Sequence, residues 1–339
     1  MYKFENLNSA LIGMSKELIK NGVKRKTRGF DCIEMPHPVL ICIENPSDRY
    51  VTIKERKWNK ILPFAESLWL ALGINDLNSL PGNYVKNLYN FSDNGNTWRA
   101  AYGPRMRSYS GDSVDYQLSD KNSVLYKNRH YDYVDQFKFV IDTLKKDLSS
   151  RQALITIHDP VKDDFDKCGN LKITKDQPCT RSVHFQVNHN GELDVITHLR
   201  SNDCLWGFSA VNVFNFALMQ EYMANILGLK IGNYYHLVDN FHYYENFTDM
   251  LKKISRLDIT AYQTGEKFQY DDKIANLEEF DLLIDCLYSY EKRLRTDSIN
   301  KPMFFGNQMF DDWGKVFFKY WTKKTVKFTN PYLEKLFNK

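Results

Sequence analysis

The residues from Cys179 to Asp203, CTRSVHFQVNHNGELDVITHLRSND, constrain the fold more than any other stretch. Val183, Phe185 and Val187 alternate with His184, Gln186 and Asn188, which is the period of a half-buried strand. Asn190-Gly191 follows, a pair that tolerates the positive φ of a tight turn. Leu193, Val195, Thr197 and Leu199 supply a second alternating arm. The pattern predicts a β-hairpin in which opposed positions sum to about 381. That register brings Cys179, directly after Pro178, near residues 200–203. A guanidinium close to a thiol lowers its pKa and favours the nucleophilic thiolate, so Arg200 makes Cys179 a candidate nucleophile. Arg200, Ser201, Asn202 and Asp203 offer a fork donor, a hydroxyl, an amide and a carboxylate in succession. Arginine with serine suits a phosphate. Each feature also has an ordinary reading: free cysteines are commonly buried and inert, and RSND alone makes a surface turn with a salt bridge.

The rest of the chain reads as an α+β pattern without regular βαβ alternation and without a Gly-rich nucleotide loop. Its 339 residues, 43% hydrophobic, suffice for one large domain or two smaller ones. The 22 Phe and 21 Tyr are expected mainly in the core. A net charge of +4 is too weak to imply a nucleic-acid surface, although it permits a local anion pocket. No apolar run has membrane-spanning length, and the opening MYKFENLNSALIGMSKEL lacks the features of a secretory signal. Cys32, Cys42, Cys168, Cys179, Cys204 and Cys286 are scattered, with no metal-ligand spacing. Free thiols in a reducing cytoplasm, and no metal, are the expectation.

Along the chain, a basic patch at 24–29 precedes a predicted strand at 37–46. Residues 59–73 predict a helix stopped by Gly73. Residues 81–111, rich in Gly, Asn and Pro, predict an irregular, partly exposed loop. A helix is expected over 133–148, with Val134, Phe137, Ile141, Leu144 and Leu148 on one face, and a strand over 151–157. Further expectations are an apolar helix at 211–228 ending at Gly228, one aromatic strand over 231–247, and an amphipathic helix at 277–294. Four more residues stand out. Glu66 is a lone carboxylate in an apolar helix and would shuttle protons if buried, where its pKa would rise. Asn212 opens an apolar helix, as a cap or as an amide that reads a base edge. His242 and Tyr244 alternate on one strand face.

These segments, in this order, resemble the thymidylate synthase superfamily, which includes the deoxycytidylate and cytidylate hydroxymethylases and phage-type relatives. FAESLWLALG, WRAAYGPRMRSY, DQFKFVIDTLKKDLSSRQALITI, QPCTRSVHFQV, HLRSNDCLWG and the helix-strand ending in HYY carry the likeness. The resemblance implies a mixed β-sheet packed with helices, one sheet face forming the interface of a homodimer with shared sites. It implies a catalytic core over 1–250 and a divergent C-terminal extension, 251–339, packed on it. The substrates implied are a pyrimidine nucleoside monophosphate (dUMP or dCMP, with CMP admissible) and 5,10-methylenetetrahydrofolate; neither nucleic acid nor membrane is a partner. Residue by residue, Cys179 attacks C6 of the base, and Glu66 organises water and proton transfers. Tyr102 assists removal of the C5 proton, Asp203 positions base and folate, and Asn212 reads the O4/N3 edge. Arg200 and Ser201 hold the phosphate, joined by Arg151 from the partner chain and by Arg25 or Arg28. His242 and Tyr244 bind the ribose, and Trp69 with Asp203 contacts the folate.

The chain also departs from that family. Thr180 stands where a histidine usually follows the catalytic cysteine, and the arginine pair that crosses subunits becomes Arg151-Gln152. The loop GFSAVN is one residue longer than the family pattern, NLYNFSDNG replaces a Trp-containing segment, and the chain ends LEKLFNK instead of in a short apolar tail. A synthase must exclude water so that hydride, not water, reaches the exocyclic carbon. The altered elements therefore point to a hydroxymethylase. A divergent thymidylate synthase is the alternative, and a non-catalytic nucleotide- or RNA-binding relative is the reading from another class.

Overall fold

The computed structural model describes residues 1–27, 30–119, 133–265 and 267–338. The alternating arms pair as their period requires. Among the described residues the strands are β1 (Tyr2–Phe4), β2 (Val23–Thr27), β3 (Phe30–Glu34), β4 (Val39–Ile43), β5 (Leu154–Thr156), β6 (Thr180–Val187), β7 (Glu192–Leu199), β8 (Asn202–Asp203), β9 (Lys230–Val238) and β10 (Phe241–Tyr244). The hairpin of β6 and β7 closes through Asn188, whose backbone N–H donates to Glu192 O at 2.8 Å. Its side-chain oxygen accepts from the N–H groups of Asn190 and Glu192 at 2.9 and 3.1 Å, and Gly191 takes φ 76°. The alternation decides which face is buried: Val183, Phe185, Leu193 and Val195 are all fully buried.

The chain forms two compact units, residues 1–60, 183–269 and 330–339, and residues 61–182 and 270–329. In the first unit the strand order is β1-β4-β9-β7-β6, with β1 parallel to β4, β4 antiparallel to β9 and β9 parallel to β7. The helix Val213–Leu227 lies on this sheet, and Gln220 Nε2 donates to Leu193 O and Asn233 O at 2.7 and 3.1 Å. A second sheet has the order β2-β3-β10-β8.

Two expectations change here. The aromatic strand read over 231–247 is two strands, β9 and β10, in different sheets. Both β7 and β9 stop and cross over together, with Asp239 N–H donating to Leu199 O and Asn202 N–H to Asn240 O, each at 3.0 Å. Asp239-Asn240 is a poor strand pair, and the crossing follows it. The basic patch at 24–29 is itself largely strand, since Val23–Thr27 forms β2 at a sheet edge with every residue exposed, and charged side chains suit an unpaired edge.

The second unit carries the helices Leu62–Leu72, Gln136–Lys146, Leu277–Thr296 and Gln308–Thr322. The first ends at Gly73, as expected. The second is shorter than its apolar stripe suggested. Phe137, Ile141 and Leu144 are buried, but Val134 and Leu148 lie outside the helix and are exposed. The strand expected over 151–157 shortens to β5, where Ile157 N–H donates to Arg181 O at 2.9 Å. The loop expected over 81–111 holds the short helices Pro81–Tyr84 and Tyr102–Arg107 and the tight turn Lys86–Phe91. It also buries Arg99, Arg105 and Arg107. Arginine is buried only when paired, and the partners are aspartates far along the chain. The helix Pro331–Asn338 belongs to the first unit, where Tyr332 OH accepts from Asn45 Nδ2 at 3.1 Å and Leu336 O from Lys60 Nζ at 2.7 Å. Mixed sheets packed with helices make the class α+β, as the element pattern implied. Among the described residues no helix is long and apolar enough to cross a membrane.

Candidate active site

Cys179, Tyr102, Glu66, Trp69 and Arg151 lie in the second unit. Cys179 is half-buried immediately before β6. The hydroxyl of Tyr102, the first residue of its helix, accepts from the backbone N–H of Thr180 at 3.2 Å. Burial, and then the neighbouring Cys179, raises the pKa of that phenol well above its usual value, so it stays protonated. Thr180 is fully buried, and its Oγ1 has no hydrogen-bond partner among the described residues.

Two links hold the nucleophile segment against the segment leading to Tyr102. The carboxylate of Asp176 accepts from Ala100 N–H at 2.8 Å, and Arg99 Nε donates to Asp176 O at 3.1 Å. Burial pushes Asp176 up to about 6. Below the Tyr102 helix, Arg105 donates to both oxygens of Asp163, Nη1 at 2.8 Å and Nη2 at 2.9 Å. Arg99 reaches Asp163 at 2.9 Å. Arg107 bonds Asp135 through Nε and Nη2 at 3.2 and 3.0 Å, and Asp281 through Nη2 at 2.8 Å. Burial alone would raise the Asp163 carboxyl, yet Arg105 and Arg99 hold it below the usual carboxylate range. Arg99, Arg105 and Arg107, which lie in the segment expected as an irregular loop, are thus the frame of the tyrosine. Glu66 is half-buried in Leu62–Leu72 between the buried Ala65 and Ser67. Trp69 is buried, its indole N–H donates to Asp76 O at 3.0 Å, and its ring meets Trp98 edge-on. Arg151 is exposed.

Arg200, Ser201, Asp203, Asn212, His242, Tyr244 and Arg25 lie in the first unit. Arg200 and Ser201 occupy the bend between β7 and β8, both half-buried. Asp203 is buried, and its Oδ1 accepts from the N–H groups of Leu205 and Trp206. Its Oδ2 is buried with no hydrogen-bond partner among the described residues, and burial raises the pKa of the carboxyl. His242 and Tyr244 share one face of β10 with ring centroids 5.5 Å apart. Asn240 Oδ1 pairs with His242 Nδ1 at 2.9 Å, and Asn240 Nδ2 donates to Glu34 at 2.6 Å. Glu34 also pairs with Arg25 at 3.0 Å, so this candidate phosphate ligand already has an acidic neighbour. Arg28 lies outside the described residues. Sequence reading passed over Arg56, whose Nε donates to Ser209 Oγ at 3.0 Å and which also bonds Leu205 O. Nothing in VTIKERKW distinguishes it from a surface arginine.

Residues 11–296 match the thymidylate synthase family. The deoxyuridylate hydroxymethyltransferase of Bacillus phage SP01 is 32% identical over 292 residues, 84% of this chain and 68% of that protein. This decides the family. The chain belongs to the thymidylate synthase family. A second deoxyuridylate hydroxymethyltransferase, from Pseudomonas phage M6, is 29% identical over 75% of this chain, which spans 64% of that relative's length. The thymidylate synthase of Bacillus subtilis subsp. natto is 28% identical over 62% of the chain and 65% of its own.

The GFSAVN segment expected to be one residue longer than the family pattern lies in a π-helix. Cys204–Asn212 is π-helical, capped by the Asp203 carboxylate, and runs directly into Val213–Leu227. A π-turn closes its hydrogen bonds one residue later than an α-turn, so it takes up one extra residue without unwinding the helix that follows. Asn212 has helical φ −64° and ψ −51° and makes no side-chain cap, so the capping role weighed for it belongs to Asp203.

Proposed function

We propose that this thymidylate synthase family member is a pyrimidine nucleoside monophosphate C5-hydroxymethylase, with dUMP or dCMP as substrate. Family membership makes it a one-carbon transferase acting at C5 of a pyrimidine nucleotide, with methylenetetrahydrofolate as co-substrate. The observation that carries the mechanism is the Tyr102 hydroxyl, 3.2 Å from the Thr180 N–H beside Cys179. Cys179 adds to C6, and the electron pair it displaces makes C5 a carbon nucleophile. Tyr102 takes part in removing the C5 proton, and Glu66 orders the water that carries protons. Arg200 and Ser201, with Arg25 or Arg28, bind the 5′-phosphate. His242 and Tyr244 bind the sugar hydroxyl, and Trp69 lines the folate subsite. The folate, when bound, supplies the one-carbon unit at the oxidation level of formaldehyde. The buried Oδ2 of Asp203, without a partner among the described residues, suits an N–H donor of its pterin ring. The division near residue 250 into a catalytic core and a divergent extension belongs to the same proposal.

The choice of hydroxymethylation over methylation rests on the hydroxymethyltransferase relatives and on the altered elements that exclude water in a synthase. The expected product is heavier than its substrate by one formaldehyde unit, with tetrahydrofolate returned and no dihydrofolate formed. In 18O-labelled water the new hydroxyl carries the label. Stoichiometric dihydrofolate with a 5-methyl product would make the enzyme a thymidylate synthase.

We also propose a homodimer with shared sites, its interface a sheet face, in which the exposed Arg151 serves the partner's phosphate. Mixing inactive Cys179→Ser with inactive Arg151→Ala is then expected to restore activity through mixed dimers. An active enzyme that is strictly monomeric by light scattering contradicts this.

A further inference from the structure

His236 and Asn202 have no part in the chemistry above, yet both are buried and joined to the amide assigned to the base. His236 is fully buried in β9. Its Nδ1 lies 2.9 Å from Tyr234 OH and 3.1 Å from Thr197 Oγ1. Asn202 presents its amide oxygen to Nε2, an acceptor only, so the imidazole proton sits on Nε2 and Nδ1 accepts; Thr197 donates its own hydroxyl to Tyr235 O at 3.3 Å, and the Tyr234 hydroxyl is the donor to Nδ1. Nε2–H then donates to Asn202 Oδ1 at 3.0 Å. With its oxygen committed, Asn202 turns its Nδ2 toward Asn212 Oδ1, 3.5 Å away. Burial pushes the imidazole down to about 3, so it stays neutral and the direction of the relay does not change near neutral pH. Gly207 makes the meeting of the two amides sterically possible. A Cβ there would stand 2.3 Å from Asn202 Nδ2 and 3.1 Å from Asn212 Oδ1.

We propose that His236 and Asn202 are positioning residues that lock the Asn212 amide with its NH2 directed away from Asn202, which selects a uracil base over cytosine. The inference rests on the proposed reading of Asn212 as the base-edge amide. Its NH2 makes no hydrogen bond to the described residues. Uracil presents the O4 acceptor and the N3–H donor. The Asn212 NH2 donates to O4, and the second lone pair of Oδ1 accepts from N3–H. Cytosine presents an NH2 in place of O4, so two donors would face each other, and the side chain would have to turn over and break with Asn202. A free asparagine amide turns easily and serves either base. The relay removes that freedom.

The test compares kcat/KM for dUMP and dCMP in wild type, Asn202→Asp, His236→Leu and His236→Gln. An aspartate at 202 still accepts from His236 but cannot donate, so Asn212 turns its NH2 inward. The dUMP-to-dCMP ratio is expected to fall by about tenfold or more, the worth of one misplaced hydrogen bond. His236→Leu should also lower the ratio, and His236→Gln, which keeps a donor, should restore it. If Asn202→Asp does not fold, the Leu and Gln pair decides. Equal losses with both nucleotides, leaving the ratio at its wild-type value, would mean that these residues only support the fold and would overturn the relay. A wild-type enzyme that turns over neither nucleotide overturns the functional reading itself, and the relay with it.

Discussion

Cys179→Ser is expected to lower tritium release from C5-labelled dUMP by several orders of magnitude while leaving the fold intact, as read by circular dichroism. Losing the one group that bonds covalently to a substrate costs this much because no neighbour replaces it. The change is nearly isosteric, and the segment before Cys179 is held by other residues: Asp176 accepts from Ala100 N–H, and Arg99 donates to Asp176 O. The contact of Tyr102 with the backbone N–H of Thr180 does not involve the sulfur. The variant should therefore keep its nucleotide affinity, so that loss of rate without loss of binding separates the nucleophile from a structural cysteine. A wild-type rate of exchange in Cys179→Ser would falsify the proposed addition to C6.

Asp163→Ala is expected to destabilise the protein by about 3–5 kcal/mol, because it leaves charged arginines buried without their carboxylate. Asp163 is fully buried and takes both Nη groups of Arg105, and Arg99 at 2.9 Å besides. With Asp163 removed, Arg105 retains Ile157 O at 2.9 Å and Arg99 O at 3.4 Å, neither of which neutralises charge. The double change Asp163→Leu with Arg105→Met should recover much of the loss, since it leaves no buried charge behind at that pair. The measurement is the urea midpoint followed by tryptophan fluorescence. A loss below about 1 kcal/mol would show that the fork is solvated and does not frame the Tyr102 helix.

The hairpin was legible because a period of two is a local property. Any chain that alternates Val183, Phe185 and Val187 with polar residues presents one buried face, whatever surrounds it. The helix ending at Gly73 and the helix from Leu277 onward were legible for the same reason, through the 3.6-residue period and a stop signal. The single strand read over 231–247 was wrong because periodicity continues across Asp239-Asn240. Only pairing with β7 and β8 shows that the chain changes sheets there.

Sequence alone therefore determined the elements that bear the candidate chemistry: the Pro178-Cys179 entry to a strand, RSND after its partner arm, the carboxylate of Glu66 in an apolar helix, and the family these belong to. What it left open is how charged and polar side chains are satisfied. Arg107 meets Asp281 across 174 positions of sequence, and Asn202 meets His236 across 34. A buried guanidinium or amide must find a partner or lose its solvation energy, and nothing near it in sequence says which distant residue that will be. The tertiary structure decided those pairings. With them it decided that the arginines around Tyr102 are scaffold, and which way the Asn212 amide turns.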